Sequence, residues 1–354
     1  MINVALINSA EIEFSPYIDI YIDIFNQVSD VNLYVIEWRR SISSAYSGDF
    51  KNVISYHRKS SLKCFKIFKL FDYIRFSNFV RDVVKKAKID KLVVVDYVIA
   101  FFLKDLLKKY STNYLIDIRD YYSVTKYIKR SIKLIDERAY GRIISSKGFD
   151  IWLNPIKREV VCHNTSLLRL NKTYPSHSFF NKKISILTIG QLSYYETDSK
   201  LIESLSDKDN IEFNFNGLGI DSEKFKNLSK TNPKVHYFGK YKKQDEEEIA
   251  LKSDFINITL CNKLSKNTAM ANRFYLSVIC GVPMIVNNYS IQAEYVKKYH
   301  LGIILDSYQN IGKQIDDYIL IYNSDIYTIG RKSMLRLIEN DFIGFKNLIN
   351  NFIE

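Results

Sequence analysis

The stretch from Asn267 to Asp306 constrains the fold more than any other part of this chain. Short apolar runs alternate there with helix-sized segments, and each carries its own stop. Asn267 and Thr268 are residue types that cap helix starts. Phe274, Leu276, Val278 and Ile279 then mark the apolar positions of a short helix. Gly281 and Pro283 end it, because glycine tolerates a left-handed cap and proline cannot continue a helix. Met284-Ile285-Val286 suits a buried parallel strand. Asn287-Asn288 turns the chain, Ser290 caps a second helix carrying Glu294, and Leu301 to Leu305 returns as a strand. The order is loop, helix, strand, helix, strand, which is the pattern of an α/β protein with a parallel sheet.

In open α/β sheets, ligands bind at the carboxyl ends of the strands. A helix start offers free N–H groups and a partial positive charge, which suits a phosphate. Two such starts are expected here, at about Thr268 and Ser290. Arg273, with the amides from Thr268 to Ala271, suits a diphosphate. Glu294 suits a pair of ribose hydroxyls.

The rest of the chain repeats this grammar. Ile2 to Asn8 reads as a buried strand, and its loop, Ser9 to Pro16, lacks the G-x-G-x-x-G of a dinucleotide site. Glu11 and Glu13 lie in that loop; Glu13 is a candidate catalytic group, a solvated loop charge being the alternative. Tyr17–Val28 reads as a helix, Val31–Ile36 and Asn52–Tyr56 as strands, Lys91–Asp96 as a strand, and Ile99–Tyr110 as a helix. Asn113–Ile118 is a strand ending in Asp117-Ile118-Arg119-Asp120. Charges at a strand end are costly unless they face a ligand or pair. Asp117 is read as holding Arg119 or a turn, and Asp120 as a candidate base, with a purely structural Asp–Arg pair as the alternative. Ile132–Ile144 reads as a helix with Asp136, Glu137, Arg138 and Arg142 on its polar side. Short strands are expected at Phe149–Leu153 and Val160–Cys162, with His163 as a structural or ligand-facing residue.

Residues 166–183 read as a connector. Ile184–Ile189 opens a new sheet and ends at Gly190-Gln191; Ile211–Asn216 ends at Gly217-Leu218-Gly219. Glycine at these ends permits a ligand to approach the backbone. The run Asp245-Glu246-Glu247-Glu248 is expected to charge a helix start. Ile311–Tyr322 and Arg331–Ile353 read as terminal helices.

Composition narrows the class. At 354 residues the chain suits two domains, and 47% hydrophobic with 25% charged residues is ordinary for a globular protein. No apolar run is long enough for a membrane helix, and no secretory signal is evident, so a cytoplasmic place is expected. Cys64, Cys162, Cys261 and Cys280 are scattered without metal-ligand spacing, and the 5 histidines do not cluster, so no metal site is expected. The net charge is +12, with 27 Lys and Arg against 18 Asp and Glu in residues 1–165, but 24 against 21 thereafter. Between Ser61 and Lys88 cations alternate with aromatics, including Lys63, Phe65, Phe71, Arg75, Phe76 and Phe79. Such a helix suits an anionic membrane surface, or packs with one solvated basic face. No nucleic-acid motif accompanies it.

The opening stretch resembles the donor-binding half of GT-B glycosyltransferases, especially bacterial capsule and cell-wall sugar transferases. The matching residues are Asn272-Arg273-Phe274-Tyr275, Cys280-Gly281-Val282-Pro283, Glu294 eleven residues after that proline, and Leu301-Gly302. Asp117 to Asp120 and Cys162-His163-Asn164 are weaker echoes. One departure matters: the paired glutamates of many retaining members fall here on Thr268 and Leu276, so neither their sugar contacts nor their stereochemistry carries over.

The resemblance implies two Rossmann-like domains with parallel sheets facing across a cleft. Residues 1–165 would bind the acceptor, 166–334 the nucleotide-sugar donor, and a helix at about 335–354 would return to the first domain. A UDP-sugar is the first expectation for the donor. Gly190, Gln191, Gly217, Thr268, Asn272, Arg273, Ser290 and Glu294 would hold it, and Asp120, Arg119 and Glu13 would form the catalytic side, without an essential metal or other cofactor. The implied activity is hexosyl transfer to a lipid-linked saccharide in bacterial surface polysaccharide synthesis, at the cytoplasmic face of the membrane. Three alternatives stay open: a GT-B sugar-nucleotide epimerase, a non-catalytic scaffold of a polysaccharide assembly complex, and a nucleic-acid-binding protein.

Overall fold

A computed structural model describes residues 1–40, 50–59, 66–172, 174–179 and 183–354. The chain divides into two compact units, Met1–Ser166 with Asn340–Glu354, and Leu167–Glu339.

The first unit is built on β1 (Ile2–Asn8), β2 (Val31–Arg39), β3 (Val53–His57), β4 (Lys91–Val95), β5 (Tyr114–Ile118), β6 (Gly141–Ile144) and β7 (Glu159–Val161). They form one sheet in the order β3-β2-β1-β4-β5-β6-β7, and every pairing is parallel. The second unit has β8 (Ile184–Gln191), β9 (Ile211–Leu218), β10 (Val235–Gly239), β11 (Phe255–Ile258), β12 (Met284–Asn287) and β13 (Gly302–Leu305). Their order is β10-β9-β8-β11-β12-β13, again all parallel. Parallel strands covered on both faces need continuous apolar runs, which is why LVVV of β4 and MIV of β12 read so clearly. Both sheets are doubly wound. The winding reverses between β1 and β4 in one, and between β8 and β11 in the other; such switch points are where open sheets take their ligands.

Seven helices matter below: α1 (Tyr17–Phe25), α2 (Lys66–Lys86), α3 (Lys129–Arg138), α4 (Tyr195–Glu203), α5 (Asn272–Cys280), α6 (Ile291–Tyr299) and α7 (Ser324–Ile353). The core of the first unit joins Leu6, Val93, Leu115 and Ile143 of the sheet to Ile18, Tyr21 and Ile24 of α1. Phe345, Leu348, Ile349 and Phe352 of α7 complete it, and Lys91 Nζ donates to the Ile353 carbonyl at 2.8 Å.

Tyr73, Phe76 and Phe79 of α2 pack inward. Phe76 stacks on Trp38 with centroids 5.5 Å apart, and Tyr73 stacks on Phe102. Leu70, Phe71 and Ile74 stay exposed. The packed-helix reading therefore accounts for much of the basic–aromatic stretch; Lys63 and Phe65 lie outside the described residues.

Two local expectations are corrected. Residues 141–144 are not the end of a helix but β6, between β5 and β7. Arg142 is buried at its heart, its charge met by Asp136 at 2.8 Å and by Glu159. Phe149–Leu153 is not a strand; a 3-10 turn spans Lys147–Ile151. The acidic run at 245–248 opens the helix Glu246–Leu251 as expected, and its buried Glu247 in addition takes Arg169, Lys172 and the Tyr174 hydroxyl. These hydrogen bonds, acting against burial, hold its carboxyl down at about 2.

Candidate functional site

In the second unit, β8 and β11 end on either side of the switch point, and α5 begins beside them. Arg273 stands in the first turn of α5. Its Nη1 donates to the Asn257 carbonyl at 3.0 Å and its Nη2 to the Gln191 carbonyl at 3.1 Å. One guanidinium thus bridges the two strand ends and keeps three of its five N–H donors for other partners. The first amides of α5 have no intrahelical carbonyl to bind. Lys266 adds a second cation at this edge, its Nζ 5.5 Å from the Tyr194 ring centroid.

The backbone is open next to Gln191, whose carbonyl accepts from Arg273. Gly190 has φ +98°, and a Cβ there would meet nothing closer than the Tyr241 hydroxyl at 4.0 Å. Gly217 serves a different need: its Cβ would strike the Gly190 carbonyl oxygen at 1.8 Å. It is the packing partner that lets β9 lie against the turn.

Behind Arg273 lies a polar core that sequence reasoning missed. Asp198 of α4 is 3% exposed, and its Oδ1 accepts the Asn257 amide at 2.8 Å. That amide also reaches Thr188, while Asn257 Oδ1 accepts from the Thr259 amide and hydroxyl. Burial pushes the Asp198 carboxyl up to about 7, with Arg273 and the Asn257 hydrogen bond pulling it back. Burial in turn lowers Arg273, against the pull of Asp198.

The other expected donor residues divide. Asn272 and Gln191 are exposed beside Arg273. Glu294 is exposed in the first turn of α6, with no hydrogen bond or ion pair among the described residues. Thr268 is corrected: α5 starts at Asn272, and Thr268 is fully buried in the preceding loop, its hydroxyl donating to the Leu264 carbonyl at 2.7 Å. Ser290 takes the N-cap position of α6, but its hydroxyl donates to the Asn287 carbonyl at 2.8 Å.

In the first unit, carboxylates gather at the carboxyl edge. Asp117 is fully buried and accepts Arg119 Nη2 at 2.6 Å and the Tyr21 hydroxyl at 2.7 Å. Arg119 also donates to the Cys162 carbonyl and to Asn164, and its guanidinium lies 4.2 Å from the Tyr17 ring centroid. Its geometry is that of a positioning residue rather than one free to touch substrate. Asp120 is exposed just beyond it. Glu13 is not a free loop charge: Arg39 grips both its oxygens, at 2.9 and 3.3 Å. Glu11 is buried, with Oε1 accepting the Arg40 amide at 3.0 Å. His163 is buried and bonds Asp341 of α7 at 2.9 Å, a structural tie.

Asp96, at the end of β4 and beside the switch point, is the second residue the sequence reading passed over. Its Oδ1 accepts the amides of Arg119 and Asp120 at 2.9 and 3.3 Å. The signal was present, since LVVVD places a charge at the end of an apolar run. Among the described residues no His, Cys, Asp and Glu group is placed to hold a metal ion, and no helix is long and apolar enough to cross a membrane.

No family model and no curated protein matches the chain. Solved structures do. The lipopolysaccharide outer core galactosyltransferase WaaB, in its apo form, superposes with TM-score 0.68 at 13% identity, over 99% of both chains. Sucrose-phosphate synthase from Thermosynechococcus elongatus gives 0.73 at 11% identity, over 99% of both. HepE from Anabaena, in complex with UDP and glucose, gives 0.67 at 14% identity, also over 99% of both. At such identities the likeness is one of fold, and with its two doubly wound parallel sheets the chain has the GT-B fold of these glycosyltransferases.

Proposed function

We propose that this protein is a glycosyltransferase that moves a hexosyl group from a nucleotide-sugar, a UDP-sugar in the first instance, to a lipid-linked saccharide in bacterial surface polysaccharide synthesis. The observation that carries the reading is Arg273 spanning the β8 and β11 ends beside an open Gly190. That is a place for a diphosphate. The structural relative HepE was solved with UDP-glucose, which supports starting with uridine.

In the proposed reaction, the acceptor hydroxyl oxygen bonds to the anomeric carbon as the bond from that carbon to the phosphate oxygen breaks. The nucleoside diphosphate leaves with the electron pair. Arg273 and the α5 amides stabilise the charge that develops on it, without a metal; stabilisation of this kind, aimed at developing charge, is commonly the largest catalytic effect. Asp120 takes the acceptor proton. Glu294 holds the ribose, the role the resemblance implies. Exposed Phe14, Val124 and Tyr127, on loops after β1 and β5, stand with the exposed cations Lys126, Lys129 and Arg130. This combination suits a lipid diphosphate at an anionic membrane face.

The test is calorimetry with UDP-, GDP-, CMP- and dTDP-sugars, with and without EDTA. One donor bound equally well in EDTA is the expected result; binding that EDTA abolishes would overturn the metal-free reading. The scaffold reading keeps one specific support, the buried Thr268 and Leu276 at the paired-glutamate positions. Donor binding without turnover on any lipid-linked acceptor would favour it.

A further inference from the structure

Asp96 carries a conformation that needs a reason. Its φ of 67° and ψ of 147° lie where L side chains rarely go. Glycine would sit there without strain, yet the chain places a carboxylate. That carboxylate is 6% exposed and fully used. Oδ1 accepts the Arg119 and Asp120 amides, and Oδ2 accepts the Tyr122 hydroxyl at 3.2 Å. Strain held at a strand end beside a sheet's switch point marks a functional constraint.

We propose that Asp96 is the positioning carboxylate of the first unit's site, holding the main chain of Asp120 in place and governing by its charge how readily Asp120 takes a proton. The role of Asp120 as base rests on the transferase reading above; the coupling of the two carboxylates does not. Several groups face Asp96. Asp117, Arg119, Asp120 and Tyr122 come from the β5 end, and Tyr17 from α1. Burial, and then the charge of Asp120, push Asp96 up to about 7, while the Arg119 and Asp120 amides pull it back. Two carboxylates this close do not ionise independently; they titrate as a pair. Once Asp96 is ionised its charge makes Asp120 a stronger base.

The experiment is a carbon-detected NMR titration of carboxyl-labelled aspartates in the full chain, without donor. In the wild type the carboxyls of Asp96 and Asp198 should both titrate near neutral pH, and the spectrum of Asp96→Asn identifies which is Asp96. Asp120→Asn should lower the Asp96 midpoint by about one pH unit or more, and Asp96→Asn should remove that near-neutral step. An unmoved Asp96 midpoint in Asp120→Asn would overturn the coupling. If Asp96→Asn does not fold, the Asp120→Asn arm still decides, and Asp96→Gly, relieved of strain, identifies the Asp96 signal instead. Where transfer is measurable, Asp96→Asn should move the acid limb of kcat/KM to lower pH and lower the plateau. A loss of equal size at every pH would mean a merely structural role. Because the titration needs no donor, its failure is distinct from a failure to bind nucleotide-sugar.

Discussion

If Arg273 holds a diphosphate, its removal should have two linked consequences. The first is affinity. A hydrogen bond to a charged group contributes about 1.5–3 kcal/mol, so Arg273→Ala should weaken UDP binding by about 10- to 150-fold. The second concerns protons. Asp198 sits at about 7 because burial raises it while Arg273 pulls it down. A bound diphosphate offsets the positive charge of Arg273, so Asp198 should take up part of a proton when UDP binds near pH 7.5. Calorimetry in two buffers of different ionisation enthalpy reads that uptake directly. In Arg273→Ala the carboxyl is already protonated, and the buffer dependence should vanish. The variant also strips the Gln191 and Asn257 carbonyls of a donor, at about 1 kcal/mol each, so urea unfolding must confirm that it is folded at the assay temperature. Binding of UDP within twofold of wild type would refute the diphosphate role. A buffer-independent enthalpy in the wild type would refute the coupling to Asp198.

Four further outcomes follow from the same geometry. Asp198 is raised in the fold, so the folded state holds more protons than the unfolded chain between about pH 4 and 7; this contribution is full below about 4 and is lost as pH rises through about 7. Asp198→Asn should therefore gain stability relative to wild type between pH 5 and pH 8, by an amount on the order of 2 kcal/mol, read from urea midpoints. Gly190→Ala should reduce UDP affinity at least tenfold for about 1 kcal/mol of stability, whereas Gly217→Ala, aimed at the Gly190 carbonyl, should unfold the second unit's edge; circular dichroism with calorimetry separates the two. Arg331 donates to the Val278, Ile279 and Tyr174 carbonyls, and its guanidinium fills the space beside Gly281. Arg331→Met should cost about 3 kcal/mol in chemical denaturation, roughly 1 kcal/mol for each carbonyl left without its donor. Glu294→Gln should erase a preference for UDP over 2′-deoxy-UDP; a preference that survives would take the ribose away from Glu294.

The strands were legible where a parallel sheet demands continuous apolar runs, as in β4, β8 and β12, whereas β11, FINI with a buried asparagine in its middle, was not read as one. The strand β6 was not legible, since GRII follows a helix without a break and puts an arginine where a buried strand should be apolar. Only the carboxylates of Asp136 and Glu159, brought from elsewhere in the fold, make that burial tolerable. Thr268 misled for a related reason. A hydroxyl that can cap a helix can equally close the turn before it, and here the Leu264 carbonyl takes it. Asp96, Asp198 and Asn257 were harder still. Their importance comes from strand order, which sets β4 beside β1 and β11 beside β8, and no local spacing in the chain encodes that order.

The positions of the missing glutamates say more than that two charges are absent. Leu276 is 2% exposed and packed with Phe274, Val278 and Ile279 in the core of the second unit. A carboxylate at that point would be buried without a partner, at a cost of several kcal/mol. The Leu276 position is thus built into apolar packing, while Thr268 is buried with its hydroxyl on the Leu264 carbonyl. What the second unit still offers a donor is cationic, Arg273 and Lys266, with Glu294 as the exposed acid nearby in the sequence. What the first unit offers is anionic, Asp96 and Asp120 about a strained strand end. If the chain is the transferase proposed above, the cationic edge would meet a leaving diphosphate and the anionic one a hydroxyl proton, and the variants above test each role within its own unit.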